Sequence, residues 1–330
     1  MRAASCSVNP GVVGVVGAVG VVGLVGAVGA LAIAGCASGE IAPLDGPPGA
    51  TDARRIDAPA NDAAISDAPV TDARTTDAAM PDAMTDAPPP PPGGGLLLSE
   101  IVLAPTGGEL IELVNTGTTA IDLSTYYVSD APGYFKLPAG VAMVAADTSD
   151  FVAKFPAGAT LAPRAVATIA LDTVANFGLA YPGVTPTYSI GSGSMMVLTG
   201  GSPTLTNAGE PVVLFQWNGA SDKVVDVDIM IAGTPAAANV LVAKTPVDGP
   251  DADATPTAYA ADALTLPAQT APGSTRSTKR LLPESAATET WTGGNGQGGH
   301  DETSEQTNVT WDSAGYTAPT PGMVPASLVP

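Results

Sequence analysis

His300 is the sole histidine of this 330-residue chain, so nucleophilic or acid–base catalysis of the Ser-His-Asp kind would have to pass through it. No Gly-x-Ser-x-Gly elbow offers it a serine, and no His/Cys cluster has the spacing of a zinc site. Gly294, Gly296 and Gly299 formally spell G-x-G-x-x-G. Neither a βαβ unit nor a helix follows them, and Asp301, Glu302 and Glu305 would repel a phosphate. Two oxygen-rich stretches suit a hard cation better: Asp248, Asp251 and Asp253 in VDGPDADA, and Asp301, Glu302 and Glu305 behind the glycine-rich turn. Flexible acidic loops of extracellular modules hold Ca²⁺ at roughly 0.1–1 mM. Neither stretch has the full alternating ligand set with a distal bidentate glutamate, so a solvated turn is the competing reading of each. Trp217, Trp291 and Trp311 would make a sugar-stacking platform if exposed and core if buried, and a domain poor in aromatics favours core. No catalytic residue and no resident cofactor are assigned, calcium being the one candidate ligand of this type.

Of the two cysteines, Cys6 and Cys36, the second closes an uncharged run from Val8 through Ala34 that ends Leu31-Ala32-Ile33-Ala34-Gly35-Cys36. That ending resembles the lipobox of bacterial lipoprotein signals. Small residues at Ala34 and Gly35 would let a peptidase reach the backbone between Gly35 and Cys36, and the thiol behind the cut would take the lipid. The run is longer than an ordinary signal core, and Gly11, Gly14, Gly17, Gly20, Gly23, Gly26 and Gly29 recur every third residue, which makes it a poor helix former. The alternative is an uncleaved membrane span, since about 25 apolar residues cross a bilayer. Either way the membrane is a partner. Under the lipoprotein resemblance the acylated Cys36 anchors the chain to the cell envelope, and Ala37 after the cysteine implies sorting to the outer membrane. Cleavage would leave Cys36 as the only cysteine, so burial and not a disulfide must stabilise the mature chain.

The segment from 36 to 95 is expected to be a disordered tether. Asp52, Asp57, Asp62, Asp67, Asp72, Asp77 and Asp82 stand five residues apart, a period that lines neither face of a strand nor one side of a helix. Large apolar residues are nearly absent, and Pro88 to Pro92 precede three glycines. Such a chain would average roughly 40 Å end to end if flexible and reach about 180 Å if polyproline-like.

Residues 96–330 must therefore carry the core. Acidic residues outnumber basic ones 32 to 12, for a net charge of −20, which disfavours nucleic acid and suits divalent cations or a basic partner. Short β-compatible runs separated by Gly/Pro turns cover Leu96 to Leu103, Glu109 to Asn115, Ile121 to Val128, Ala165 to Leu171, Ser194 to Leu198, Pro211 to Trp217 and Val224 to Ile229. Ser149 to Phe155 and Thr173 to Tyr181 are expected to give a helical turn each. With no long amphipathic stretch, this order predicts an all-β antiparallel sandwich behind the tether. Glu112, set between apolar neighbours, should find a buried partner, with Arg164 or the Arg276/Arg280 pair as candidates.

Several blocks resemble the lamin tail domain family. Leu98-Ser99-Glu100-Ile101, then Glu109 to Gly117 (ELIELVNTG) and Ile121-Asp122-Leu123-Ser124, are similar to its opening strands and turn. Phe155 to Pro163 resembles its Pro-Ala-Gly-Thr-x-Leu loop, and Leu205 to Leu214 its Leu-x-Asn-x-Gly-Glu-x-Val-x-Leu strand. Val225-Asp226, the Ser/Arg segment Ser274 to Arg280, and Thr320-Pro321-Gly322 come next in the family's order, while Met230 to Thr270 does not match and reads as an elaborated loop. The resemblance implies an immunoglobulin-like sandwich used as an interaction module and not as a catalyst. In nuclear lamins that domain meets proteins and DNA, and bacterial relatives are typically exported. Together these features point to a membrane-anchored envelope lipoprotein, not an enzyme, presenting a binding module to a protein or glycan and not to nucleic acid. The alternative is a calcium-assisted extracytoplasmic hydrolase built on the acidic loops and His300.

Overall fold

A computed structural model describes residues 95–144, 147–233, 241–263, 271–312 and 316–329. The expected signal, its Cys36 and the Asp-repeat tether lie outside the described residues. No helix among the described residues is long and apolar enough to cross a membrane.

The described residues form an all-β, immunoglobulin-like sandwich. Among the described residues twelve strands run in chain order as β1 (Leu96–Val102), β2 (Leu110–Asn115), β3 (Ile121–Asp122), β4 (Tyr126–Ser129), β5 (Val152–Lys154), β6 (Thr160–Leu161), β7 (Val166–Ala170), β8 (Tyr188–Ser189), β9 (Met196–Thr199), β10 (Gly209–Gln216), β11 (Val225–Gly233) and β12 (Thr278–Lys279). Helix α1 (Val174–Ala180) follows β7, and a single turn, α2 (Thr307–Thr310), lies near the end. One sheet has the order β12-β1-β2-β7-β8, the other β11-β10-β4-β5-β9, and β3 pairs with β6 apart from both. All pairings are antiparallel except β7 with β8.

Each predicted strand is present, with two adjustments. The run from Ile121 to Val128 breaks into β3 and β4 because the Asp122 carboxylate caps the Ser124 amide and turns the chain. Ser149 to Phe155 is not helical but carries β5: the Phe151 amide is taken by the Asp130 side chain, and β4 and β9 satisfy the rest of the strand. Thr173 to Tyr181 is α1, capped where Thr173 Oγ1 accepts the Asn176 amide.

The two sheets close on Leu98, Ile101, Leu113, Val128, Phe151, Phe155, Ile169, Leu214 and Met230. Their outer faces are covered as well. Helix α1 lays Phe177 over Val102, Leu110 and Ala170. The chain end brings Leu328 against Leu97 and Val114. The second sheet buries Tyr127, Val213, Phe215 and Ile229 under Tyr134, Phe135, Leu241 and Tyr259. With both faces apolar, a strand has no reason to alternate, and β1 reads LLLSEIV with every residue buried.

Two of the three register shifts in the sheets position charged side chains. Ser99 is the extra residue in β1, where the pairing slips between Leu98 and Glu100, so Leu98 and Ile101 both face inward. Val227 plays the same part in β11: Asp228 lies opposite Leu214 of the inner layer, and Asp226 opposite Phe215 of the outer one. One irregular residue thus sends two aspartates to opposite sides of the same sheet.

Candidate functional site

The inner aspartate meets the bulge of β1. Asp228 Oδ2 accepts the Leu98 amide at 2.8 Å, and both its oxygens accept from Arg280 Nη2 at 2.8 and 2.7 Å. Arg280, which follows β12, has its amide on Ser99 O and its Nε on Leu98 O, each at 2.8 Å. Its Nη1 and Nη2 also reach Glu305, and its guanidinium stacks on the Trp311 ring, 4.8 Å from the centroid. The Ser/Arg segment is thereby locked onto the sandwich by a fully buried guanidinium whose donors are directed at carbonyl and carboxylate oxygens. Burial pushes the Asp228 carboxyl up to about 7, against the pull of Arg280 and with Glu305 adding to the rise. Burial works against the Arg280 charge, yet Asp228 and Glu305 hold its pKa above the ordinary value.

Beside Arg280 lies a cluster of further carboxylates. Glu284 approaches Nη2 at 3.6 Å, and burial together with Asp228 drives its pKa well above the usual range. Glu289 is raised to about 8, first by burial and then by Glu305. Glu302 is raised well above its ordinary value by burial, with Glu284 and Glu289 next in effect. The Glu289 side chain is fully buried; its Oε2 accepts Trp291 Nε1 at 3.0 Å, while Oε1 has no hydrogen-bond partner and lies 3.7 Å from His300 Nδ1. His300 lies flat on Trp291, centroids 4.8 Å apart and planes 9° from parallel, and burial lowers its pKa. One oxygen from Glu284, one from Glu289 and one His300 nitrogen all fall within 4.8 Å of one another.

The glycine-rich turn before His300 supplies room and not a phosphate cradle. A Cβ on Gly296 would sit 2.4 Å from Glu302 Oε1, and one on Gly294 would sit 2.2 Å from His300 O. Their amides donate to His300 O and Gly299 O, folding the turn back beneath the histidine.

The outer aspartate forms a second buried centre. Lys244 Nζ lies 2.6 Å from Asp226 and 2.5 Å from Asp262, and Tyr134 Oη donates to Asp226 at 2.5 Å. Burial would lower the lysine's pKa, but the two carboxylates override it and hold it raised. Asn295 Nδ2 donates to Asp262 and to Ala260 O, tying this centre to the glycine-rich turn.

The sequence-derived candidates separate accordingly. Asp248 and Asp251 do come together, but their third member is Asp222 and not Asp253. Asp253 faces its own loop, accepting the Thr255 amide, and its amide donates to Asp251. Asp222 is tied to the Gly249 amide and Thr257 Oγ1, while Asp248 Oδ1 is buried without a hydrogen-bond partner. Asp301, Glu302 and Glu305 are all buried and do not form one open loop. Asp301 accepts from Ala263 N and Thr303 Oγ1, and Glu305 belongs to Arg280. Trp311 is core, as the low aromatic content favoured. Trp217 is half-buried beside Tyr127, with Nε1 on Ser221 O, and Trp291 is committed to His300 and Glu289.

Glu112 takes none of the expected arginines, because Arg280 is held across the bulge by Asp228 and Glu305. It lies opposite Glu100 on the neighbouring strand, accepts Ser99 Oγ at 3.1 Å and receives the Gly322 amide. Glu100 receives the Thr320 amide and hydroxyl. The Thr320-Pro321-Gly322 block is thus a latch on two adjacent glutamates, and burial followed by the charge of Glu100 pushes Glu112 up to about 8. Lys244, Asp262, Asp222, Glu284 and Glu289 were not singled out by sequence, since no short spacing joins them to their partners.

Residues 89–228 match the family described as Lamin Tail Domain. Among solved structures, a DUF4876 family protein from Bacteroides thetaiotaomicron VPI-5482 is 14% identical with a TM-score of 0.38, the comparison covering 71% of this chain and 75% of that one. No curated protein matches the chain.

Proposed function

We propose that this chain, in which residues 89–228 match the lamin tail domain, is an envelope lipoprotein that presents the domain as a non-catalytic interaction module. The family match carries this reading. Two features of the fold agree with it. The Arg280 and Lys244 centres are spent on internal partners, and His300 is stacked on a tryptophan and turned toward carboxylates. The anchor would be Cys36, acylated after cleavage behind Gly35, with the outer membrane as its site and a protein or glycan as the partner.

Metabolic labelling with a radioactive fatty acid, followed by membrane fractionation, tests the anchor. The parent chain should carry label and sediment with membranes, and Cys36→Ser should lose both. An unlabelled parent rejects the lipoprotein reading. Turnover in a hydrolase screen that disappears in His300→Gln rejects the non-catalytic one.

Calcium is retained as a ligand of the module on a revised set, Asp222, Asp248 and Asp251, with the buried lone Oδ1 of Asp248 as its supporting observation. Millimolar Ca²⁺ should raise the melting temperature of the full chain, since a ligand that binds only the native state stabilises it by mass action. Asp251→Ala should abolish the rise; an identical rise in that variant removes this set from consideration.

A further inference from the structure

The strongest unassigned feature is the carboxylate cluster beside Arg280. Five carboxylates, Asp228, Glu284, Glu289, Glu302 and Glu305, act on one another there, and Arg280 is the guanidinium among them. Arg280 is hydrogen-bonded to Asp228 and Glu305; Glu284 Oε1, an ion-pair neighbour 3.6 Å from Nη2, and Glu289 Oε1 are each buried without a hydrogen-bond partner. Buried polar atoms normally find a partner, and one oxygen of each of these glutamates lies within 4.8 Å of the other and of an imidazole nitrogen, so the cluster needs an explanation.

We propose that Glu284, Glu289 and His300 form a binding site for a borderline divalent transition metal of the Zn²⁺ class. The separation of Glu289 Oε1 and His300 Nδ1, 3.7 Å, is long for a hydrogen bond. It is close to the ~3.5 Å between two ligands of one tetrahedral ion with metal–ligand bonds of about 2.0–2.2 Å. The donor set also selects the metal. Ca²⁺ asks for six to eight oxygens, whereas one imidazole with two carboxylates is what Zn²⁺ and its neighbours accept.

The surroundings hold the ligands as metal sites require. Trp291 Nε1 fixes one oxygen of Glu289 and so aims the other at the histidine, while its ring keeps the imidazole flat. Gly296 removes the side chain that would block Glu302 from the same pocket. The histidine side chain is 16% exposed, which gives an ion a route in. The assignment does not depend on the interaction-module reading and stands or falls by itself.

The test is calorimetric titration of the full chain with ZnCl₂, beside CaCl₂, for the parent and the variants His300→Gln, Glu289→Gln and Trp291→Phe. Far-UV circular dichroism before metal addition verifies that each variant folds. The parent should take up Zn²⁺ saturably and in preference to Ca²⁺. Either ligand variant should weaken binding at least ~10-fold, and Trp291→Phe by about 10-fold through loss of the orienting donor. Asp251→Ala should leave Zn²⁺ affinity unchanged. Absence of saturable Zn²⁺ binding, or equal affinity in the ligand variants and the parent, overturns the assignment. If His300→Gln does not fold, Glu289→Gln decides alone: unchanged Zn²⁺ affinity overturns the site, and a ~10-fold loss supports it.

Discussion

Replacing Arg280 by methionine keeps much of the side-chain volume and the stacking on Trp311 while deleting the charge. The loss is large because the group is fully buried and its donors serve Leu98 O, Asp228 and Glu305, two of them ionisable. Removing one partner of a buried ion pair costs about 3–5 kcal/mol, since the other charge stays behind unpaired. For a domain of this size each kcal/mol moves the melting temperature by about 2–4 °C, so Arg280→Met should melt roughly 6–20 °C lower near pH 8. The penalty should shrink near pH 5, because Asp228, already raised to about 7 in the parent, can then accept a proton instead of remaining an orphan anion. Thermal unfolding followed by circular dichroism at both pH values measures this, and the Arg280→Met/Asp228→Asn double variant should regain part of the loss through a coupling of about 0.5–3 kcal/mol. A shift under about 2 °C near pH 8, or an equal shift at both pH values, refutes the claim that this guanidinium neutralises buried carboxylates.

Glu112 gives a pH signature. Its folded pKa of about 8 exceeds the ordinary 4.5, so the native state holds a proton that the unfolded chain releases, and its contribution to stability falls from about pH 4.5 to 8 and is flat above. Glu112→Gln should flatten that part of the profile and raise the melting temperature near pH 8.5, read by thermal denaturation across pH. Asn115 is fully buried and spans three carbonyls, Thr119, Leu161 and Ala162, while capping the Gly117 amide. Asn115→Ala should therefore cost about 2–4 kcal/mol in urea unfolding, from several buried groups left without partners. Gly200 has φ +98° and its absent Cβ would fall 2.1 Å from Asp150 O, so Gly200→Ala should lower stability by about 1–3 kcal/mol and loosen the β5–β9 pairing in hydrogen exchange.

The strands were legible because Val, Leu and Ile runs between turn residues are a local signal. Their covering was not. Phe177, Leu328 and Tyr259 reach the outer faces from distant parts of the chain, and nothing near β1 announces that it will be buried on both sides. The family blocks were legible as strings and acquire their reasons in the fold: Asn115 and Gly117 close a loop, and Thr320-Pro321-Gly322 latches onto Glu100 and Glu112. Arg280 was visible as a buried-partner candidate, but for the wrong glutamate. The bulge at Ser99 turns the backbone carbonyls of β1 toward it, and a bulge has no reliable sequence signature here. His300 was read for catalysis because histidine is scarce. The glutamates that surround it stand 11 and 16 residues away in irregular chain, a spacing that no short pattern encodes.

The chain enters the sandwich at Gly95 and passes at once into β1, which has β12 on one side and β2 on the other. Both ladders are antiparallel, so a pull along the chain from that entry would load the β2 ladder in shear from Leu96 onward, with the short β12 ladder at Glu100 and Ile101 behind it. The Arg280 clasp lies on β1 at its bulge, and Leu328 presses on Leu97 from the outer face. For a module held at its N-terminal side against flow or a dragging partner, the load arrives on a strand hydrogen-bonded on both sides and clasped at its bulge.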